Sequence, residues 1–463
     1  MPVDDPLDAA GELARRYLAS LAERPVGARL EFDALRARLG ALPEAGVDAV
    51  RVVEELAEAV EPGLVASAGP RFFGFVIGGS VPAALAADWL ASAWDQNAAL
   101  ATASPAAAAV ESVARDWLLD LFGLPRSASL GLVTGGQMAN FTCLAAARHA
   151  VLERAGWDVE SRGLQGAPRV EVIVGDEAHA TVFSALRYLG LGSGGARRVA
   201  VDAQGRMRPE ELAHALAGGD GPTIVCAQAG NVDTGAFDPL DEIAPLARAK
   251  GAWLHVDGAF GLWAAASPAR RALLRGFEAA DSWSTDAHKW LNVPYDCGIA
   301  MVADPASHRG AMGKSAAYLL RAGGGARDSH DFTPESSRRA RGFAVYAALR
   351  SLGRAGVADL VDRCCLLAAR CADRLRRAPG VRVLNDVVLN QVLARFEPPG
   401  GGDAGAFTRA VVERVQADGT CWLGGTRWQG QDAMRISVSG WSTTEADIDR
   451  SADAILACAR QPL

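Results

Sequence analysis

Residues 253–259 have the sequence Trp-Leu-His-Val-Asp-Gly-Ala, an apolar run that ends at an aspartate. This run, at residues 252–256, is one of several short apolar runs; the others occur at residues 170–174, 223–227 and 298–302. The segments between them, such as 241–250, have the spacing of helices. Strands that alternate with helices predict an α/β fold on a mainly parallel sheet with both faces covered. Ligands bind such sheets at the carboxyl ends of the strands, which is where Asp257 falls.

A lysine follows this aspartate by 32 positions. Residues 284–290 have the sequence Ser-Thr-Asp-Ala-His-Lys-Trp, so Lys289 lies between a histidine and a tryptophan. An amine and a distant carboxylate are what an enzyme needs to hold pyridoxal phosphate. The lysine forms a Schiff base with the aldehyde, and the carboxylate keeps the pyridine nitrogen protonated. Lys289 and Asp257 therefore predict this cofactor, against the alternative of a surface or ion-paired lysine.

The same edge of the predicted sheet carries two further candidates. A turn at Gly135-Gly136 precedes a predicted helix at 138–149, and glycine amides at a helix start bind phosphate. His179 follows another predicted strand, where an imidazole can stack on a pyridine ring. Each also suits an ordinary structural role, as a turn or as a hydrogen-bonded histidine. We interpret both as cofactor contacts only because Lys289 and Asp257 predict the cofactor.

A metal site is a competing interpretation. His255 and Asp257 alternate along a strand and point to the same face, a spacing that also suits a metal ion. His179 and His288 would be additional ligands. However, the sequence contains no HExxH or comparable cluster, and a metal leaves Lys289 without a role. We therefore expect no metal.

Composition narrows the class of protein. The chain has 463 residues, of which 50% are hydrophobic, and a formal net charge of −7, which argues against a nucleic-acid surface. We find no apolar stretch of about 18 residues, so we expect no membrane span. The first residues lack the basic head and apolar block of a secretory signal, which predicts a cytoplasmic protein. The eight cysteines form no CxxC pair and are expected to be buried thiols.

Three parts of the chain are predicted. Residues 1–70 form a helical arm whose apolar stripe needs the main body or a second subunit to cover it. Residues 71–345 form the large domain, in which Ser104 and Pro105 begin a helix that runs to about residue 122. Residues 346–463 form a small α+β domain with strands at 383–396 and 433–439.

Together these motifs resemble the pyridoxal phosphate-dependent group II amino acid decarboxylases, the family of aromatic-L-amino-acid and glutamate decarboxylases. The resemblance runs from about residue 71 to about residue 350 and continues more loosely to the end. Its markers are the segments 71–75, 104–106, 117–118, 134–136, 178–179, 230–238, 255–257 and 288–290, together with Glu111.

The resemblance implies the fold and the assembly. The fold would be the pyridoxal phosphate-dependent transferase fold type I, as in aspartate aminotransferase. It has a mainly parallel seven-stranded sheet in the large domain and a small α+β carboxyl-terminal domain. Relatives in the family are homodimers with active sites at the subunit interface, so a homodimer is expected.

The resemblance also implies roles for individual residues. Lys289 would be the Schiff-base lysine, Asp257 the partner of the pyridine nitrogen, His179 the stacking imidazole and Ala259 a small residue under the ring. The cofactor phosphate would be bound by Gly135, Gly136 and Gln137, with His288 near it. Many relatives have serine at the position of Gln137, so this contact would use an amide or the backbone. Tyr318 matches the tyrosine of a mobile loop that protonates the carbanion.

The predicted reaction is decarboxylation of an L-amino acid to the amine and carbon dioxide. Relatives that make aldehydes replace the loop tyrosine with phenylalanine, so Tyr318 favours decarboxylation. The alternatives are another pyridoxal phosphate reaction on the same fold, namely that of an aldehyde synthase, aminotransferase or aldolase, or a non-catalytic relative. The sequence leaves open whether the substrate is aromatic, acidic or aliphatic.

Overall fold

Seven strands form the larger sheet in the computed structural model, which describes residues 5–314 and 327–462. In chain order they are β1 Ser129–Val133, β2 Glu171–Gly175, β3 Arg197–Val199, β4 Thr223–Gln228, β5 Trp253–Asp257, β6 Ser282–Asp286 and β7 Gly298–Val302. Their order in the sheet is β1-β7-β6-β5-β4-β2-β3. Neighbours from β6 to β3 pair in parallel, whereas β7 is antiparallel to both β1 and β6. The predicted α/β class and the mainly parallel seven-stranded sheet are confirmed.

Fourteen α-helices lie in the described part of the chain. They are α1 Pro6–Ser20, α2 Phe32–Leu39, α3 Ala49–Val60, α4 Pro82–Trp94, α5 Pro105–Phe122, α6 Gly136–Arg154, α7 Val159–Arg162, α8 Ala180–Tyr188, α9 Pro209–Leu216, α10 Leu240–Lys250, α11 Pro305–Met312, α12 Gly342–Arg376, α13 Ala404–Asp418 and α14 Glu445–Ala459. Helix α12 is interrupted at Gly353, whose φ of 62° and ψ of 178° are not helical. Helix α6 packs against β5, β6 and β7, and α10 packs against β5. Helices therefore cover the central strands, whose residues are buried throughout.

Helix α5 illustrates how the sequence sets an element boundary. The Ser104 hydroxyl accepts a hydrogen bond from the amide of Ala107 at 3.3 Å, and Pro105 occupies the first turn. Gly123 ends the helix with a φ of +73°, a conformation that glycine adopts without steric cost. The predicted start and end of this helix are confirmed.

A second sheet has four strands, β8 Val381–Val383, β9 Gln391–Phe396, β10 Gly424–Trp428 and β11 Gln431–Ser437, in the order β10-β11-β9-β8. The prediction of one strand over 383–396 was wrong, because β8 and β9 are two antiparallel strands of a hairpin. Asn385 lies in the connection and donates a side-chain hydrogen bond to the carbonyl of Gln391 at 2.8 Å. Asparagine favours such turns, and the apolar pattern alone did not reveal this one.

The described residues fall into two units. One contains the chain up to Ile77, Ala369–Leu384 and the chain from Leu393 onward, and the other contains Gly78–Ala368 and Asn385–Val392. The large sheet belongs to the second unit. The domain limits expected at residues 70 and 345 stay predictions. Among the described helices, none combines the length and the apolar composition needed to cross a bilayer.

Candidate active site

The carboxyl-terminal edge of the large sheet brings the predicted residues close together. Asp257 ends β5 and pairs with Gln228, the last residue of β4. Asp286 ends β6 and pairs with Gly298, which also pairs with Val133 at the end of β1. The glycine turn after β1 and the segment with Lys289 after β6 therefore begin at the same edge of the sheet.

Asp257 is a buried carboxylate, with 5% of its surface exposed. Its Oδ2 accepts a hydrogen bond from Asn140 Nδ2 at 3.0 Å, and its Oδ1 accepts one from the amide of Ala259 at 3.2 Å. Neutral donors thus hold both oxygens. The carboxylate is fixed in one orientation and keeps lone pairs for a further partner.

Asp257 and Lys289 line the same small cavity. The cavity is lined by His179, Gln228, Gly230, Val232, Asp257, Ala259, Phe260 and Lys289. A larger groove of about 1970 Å³ among α1 and α3 is lined mainly by apolar, arginine and glutamate side chains. The amine and the buried carboxylate occur together in the smaller cavity, so we place the candidate site there.

His179 has a structural contact as well as a place at the cavity. It is the residue before α8, and its Nδ1 accepts a hydrogen bond from the amide of Thr181 at 3.3 Å. The Thr181 hydroxyl lies 2.8 Å from the same nitrogen. His179 therefore caps a helix while its ring lines the cavity.

Lys289 forms an ion pair with Asp286, whose Oδ2 lies 3.0 Å from the Nζ atom. Asp286 is buried, and its Oδ1 lies 3.4 Å from Nε2 of His288. The amide of Cys297 donates a hydrogen bond to Nδ1 of His288 at 3.1 Å, which leaves the proton of a neutral ring on Nε2. Burial lowers the pKa of His288, and the nearby Asp286 opposes this effect. The amine is thus held by the carboxylate of Asp286, which belongs to the same 284–290 segment. The sequence alone predicted no role for this aspartate.

Gly135 and Gly136 form a turn in which a side chain would be crowded. A Cβ atom at Gly135 would lie 3.1 Å from Cε1 of His288, and one at Gly136 would lie 2.6 Å from Oδ2 of Asp286. Helix α6 begins at Gly136 without a side-chain cap, and Gln137 is its second residue. The first amides of a helix have no partner within it, so they are available to a phosphate.

The arrangement fits pyridoxal phosphate. An amine and a buried carboxylate line one cavity, and open helix amides lie beside the carboxylate that pairs with the amine. Asp286 is an unfavourable neighbour of an anion at the turn, and the Lys289 ammonium opposes its charge. Within residues 5–314 and 327–462, no three histidine, cysteine or acidic side chains are arranged to hold a metal ion.

Sequence reasoning missed several residues of this site. Gln228 ends β4 and lines the cavity, and the rule that selected Asp257 would also have found it. Phe260 and Asn140 carried no comparable signal, because their roles depend on how a loop and a helix are oriented. Tyr318, predicted as the proton donor, lies outside the described residues.

Comparison with known families gives an independent result. A family model described as "Pyridoxal-dependent decarboxylase conserved domain" matches residues 36–397. Tryptophan decarboxylase 1 of Oryza sativa subsp. japonica is 32% identical over 428 residues, covering 86% of this chain and 82% of that protein. The acidic amino acid decarboxylase GADL1 of Bos taurus is 28% identical over 405 residues, covering 83% and 77%.

A solved structure has the same fold. The crystal structure of Oryza sativa TDC with PLP and tryptamine aligns with a TM-score of 0.91 at 27% sequence identity, covering 98% of this chain and 96% of that one. The predicted fold type and small second domain are therefore confirmed.

Proposed function

The chain belongs to the family of pyridoxal-dependent decarboxylases, and we propose that it converts an L-amino acid into the corresponding amine and carbon dioxide. Enzymes of this family are lyases with pyridoxal 5'-phosphate as cofactor. When bound, the cofactor supplies an electron sink for the carbanion left by carbon dioxide. The observation that carries the proposal is the shared cavity of Lys289 and Asp257.

Lys289 is the proposed attachment point of the cofactor. Its amine lies at the cavity, on a segment that is tied to the sheet at both ends. Asp286 holds the amine as an ion pair, which orients it. His288 lies beside this pair, near the glycine turn.

Asp257, His179 and Ala259 are the proposed contacts of the pyridine ring. The carboxylate of Asp257 would hold a proton on the ring nitrogen, and the protonated ring would supply an electron sink. His179 would stack on the ring, and Ala259 would leave room for it. Removing one fixed electrostatic partner of this kind typically slows an enzyme by about 10²–10³-fold.

Gly135, Gly136 and Gln137 are the proposed phosphate contacts. Their support is the open helix start and the crowding that a Cβ atom would meet at either glycine. Tyr318 is the proposed proton donor to the α-carbon, on the strength of the family motif alone.

The test uses the purified enzyme with its cofactor, reduced by borohydride and digested. We expect the cofactor on the peptide that contains Lys289, and carbon dioxide release from at least one member of a panel of L-amino acids. Lys289→Ala should lose both the visible absorption of the covalent complex and the release of carbon dioxide. A Lys289→Ala protein that keeps this absorption would contradict the proposed role.

The same panel separates the proposed reaction from its alternatives. A decarboxylase releases amine and carbon dioxide in equal amounts. Aldehyde and hydrogen peroxide in stoichiometric amounts would instead identify an aldehyde synthase. Aromatic, acidic and aliphatic substrates all belong in the panel, because the two relatives named above are a tryptophan and an acidic amino acid decarboxylase.

We also propose a homodimer with active sites at the subunit boundary. The support is the exposed apolar surface of the helical arm, where Leu7, Phe32 and Leu42 are 74%, 73% and 94% exposed. Sedimentation should give a mass of twice 48.3 kDa, and a monomer would contradict the proposal.

The proposed location is the cytoplasm. The structure describes all eight cysteines, each of them is buried, and none forms a disulfide. Buried thiols without disulfides are typical of a reducing compartment.

A further inference from the structure

A buried chain of hydrogen bonds runs along one face of the sheet to Asp257. Trp253 Nε1 donates to the hydroxyl of Ser282 at 2.9 Å. An indole nitrogen only donates, so the Ser282 hydroxyl acts as acceptor here and its own proton is available to Nδ1 of His255, 3.0 Å away. His255 then carries its proton on Nε2, which lies 2.9 Å from Oδ1 of Asn140. Asp257 sets the direction of the chain, because a carboxylate only accepts hydrogen bonds and Asn140 must face it with Nδ2.

Asn140 is the branch point of this chain. Its Oδ1 accepts from His255 and from the hydroxyl of Ser284, which lies 2.6 Å away. Its Nδ2 must therefore face the other way, where it donates to Oδ2 of Asp257 at 3.0 Å and to the hydroxyl of Thr181 at 3.2 Å. The carboxylate of Asp257 requires the donor end of the amide, and the contacts of His255 and Ser284 with Oδ1 agree with this orientation.

The second branch reaches His179. The Thr181 hydroxyl accepts from Asn140 and lies 2.8 Å from Nδ1 of His179, which it can reach with its own proton. The amide of Thr181 donates to the same nitrogen. A neutral His179 then carries its proton on Nε2. One amide group thus orients both residues proposed to hold the pyridine ring.

We propose that Asn140 is a positioning residue, which acts through Asp257 and His179 to fix the cofactor ring. This inference rests on the proposed function. Asn140 is 1% exposed and does not line the cavity, so it acts through these two side chains rather than on the ring. His255 and Ser282 are fully buried and serve to set the orientation of the Asn140 amide.

The electrostatics of His255 agree with this geometry. Burial lowers the pKa of His255 to about 4, while the nearby Asp257 opposes the effect. The ring is therefore neutral at neutral pH, with one donor and one acceptor nitrogen, as the chain of hydrogen bonds requires.

The experiment compares Asn140→Leu and Asn140→Asp with Thr142→Val in the enzyme loaded with pyridoxal 5'-phosphate. Thr142 is buried on the same helix, and its hydroxyl donates to the carbonyl of Met138. We expect Asn140→Leu to lose cofactor on dialysis about tenfold faster and to shift the visible absorption maximum of the bound cofactor. Asn140→Asp should lose it faster still, because a second carboxylate would face Asp257. Thr142→Val should behave as the parent enzyme.

A second pair of variants covers the case in which Asn140 variants fail to fold. His255→Gln keeps a donor towards Asn140, whereas His255→Leu removes it. We expect His255→Gln to keep the absorption maximum of the parent enzyme and His255→Leu to shift it. Folded Asn140→Leu with parent cofactor retention and spectrum, or identical behaviour of the two His255 variants, would overturn the inference. Failure of the proposed function is distinct, since the parent enzyme would then not attach the cofactor at Lys289.

Discussion

At the residue scale, the pair of Lys289 and Asp286 has two opposing consequences. The 3.0 Å ion pair orients the amine, but the carboxylate also lies against the glycine turn proposed to bind phosphate. Two unit charges about 5 Å apart repel by roughly 3 kcal/mol at an effective dielectric constant near 20. The charge of Asp286 therefore reduces the affinity for the cofactor phosphate.

Replacing Asp286 with asparagine keeps the shape of the side chain and removes its charge. We expect Asp286→Asn to lower the dissociation constant for pyridoxal phosphate about tenfold, as measured by equilibrium dialysis. Asp304→Asn is the matched control, because it removes one charge from the start of α11 and keeps a capping side chain. Equal or weaker binding by Asp286→Asn would show that orienting the amine matters more than the repulsion.

The same residues show what a sequence can and cannot predict about a site. Asp257 was found because it ends an apolar run, and Lys289 because a surface lysine rarely lies between a histidine and a tryptophan in an apolar setting. Asp286 belongs to the same motif as Lys289, but sequence gives no distance between its carboxylate and the amine. Asn140 was missed because only the packed helix shows which way its amide points.

At the element scale, the start of α6 carries the proposed phosphate site. Its first amides are open because Gly135 offers no capping side chain. Because β7 pairs with both β1 and β6, the start of α6 lies beside the segment that contains Lys289. Sequence predicted the α/β alternation but not the antiparallel direction of β7, because the apolar pattern of a buried strand is the same in both directions.

Gly136→Ala tests the glycine turn. The added Cβ would lie 2.6 Å from Oδ2 of Asp286, so this carboxylate or the turn must shift, and we expect cofactor affinity to fall about tenfold or more. Gly194→Ala is the control, since a Cβ there meets no atom within 4 Å. Fluorescence titration with pyridoxal phosphate measures both variants. If the two bind equally well, the turn does not approach the phosphate.

At the scale of the whole molecule, buried groups link folding to pH, and the largest pKa shifts among histidines and carboxylates are at His255, His308 and Asp238. Burial lowers the pKa of His255 to about 4 and that of His308 to about 3, whereas unfolded histidine titrates near pH 6.5. As pH falls from about 6.5 to about 4, the unfolded chain binds protons that the folded chain does not, so the free energy of unfolding decreases. Asp238 acts in the opposite direction between about pH 4 and pH 6, because burial raises its pKa to about 6.

Two histidines outweigh one carboxylate, so we expect a net loss of stability as pH falls from about 6.5 to about 4. Each unmatched proton changes the free energy of unfolding by about 1.4 kcal/mol per pH unit. Urea denaturation at a series of pH values measures the slope. His308→Gln should have a smaller slope than the parent, and an unchanged slope would mean that His308 is not neutral in the fold.

The hairpin formed by β6 and β7 determines when the active-site amine is in place. Residues 287–297 connect these antiparallel strands, and the pairing of Asp286 with Gly298 closes the connection. The amine of Lys289 is held in position only after β7 has joined the sheet. During synthesis, a nascent chain must therefore emerge from the ribosome past residue 302 before its lysine is presented. An aldehyde that reacts with Lys289 would then meet a chain in which β6 and β7 have already paired, so maturation of the enzyme would follow this step of folding.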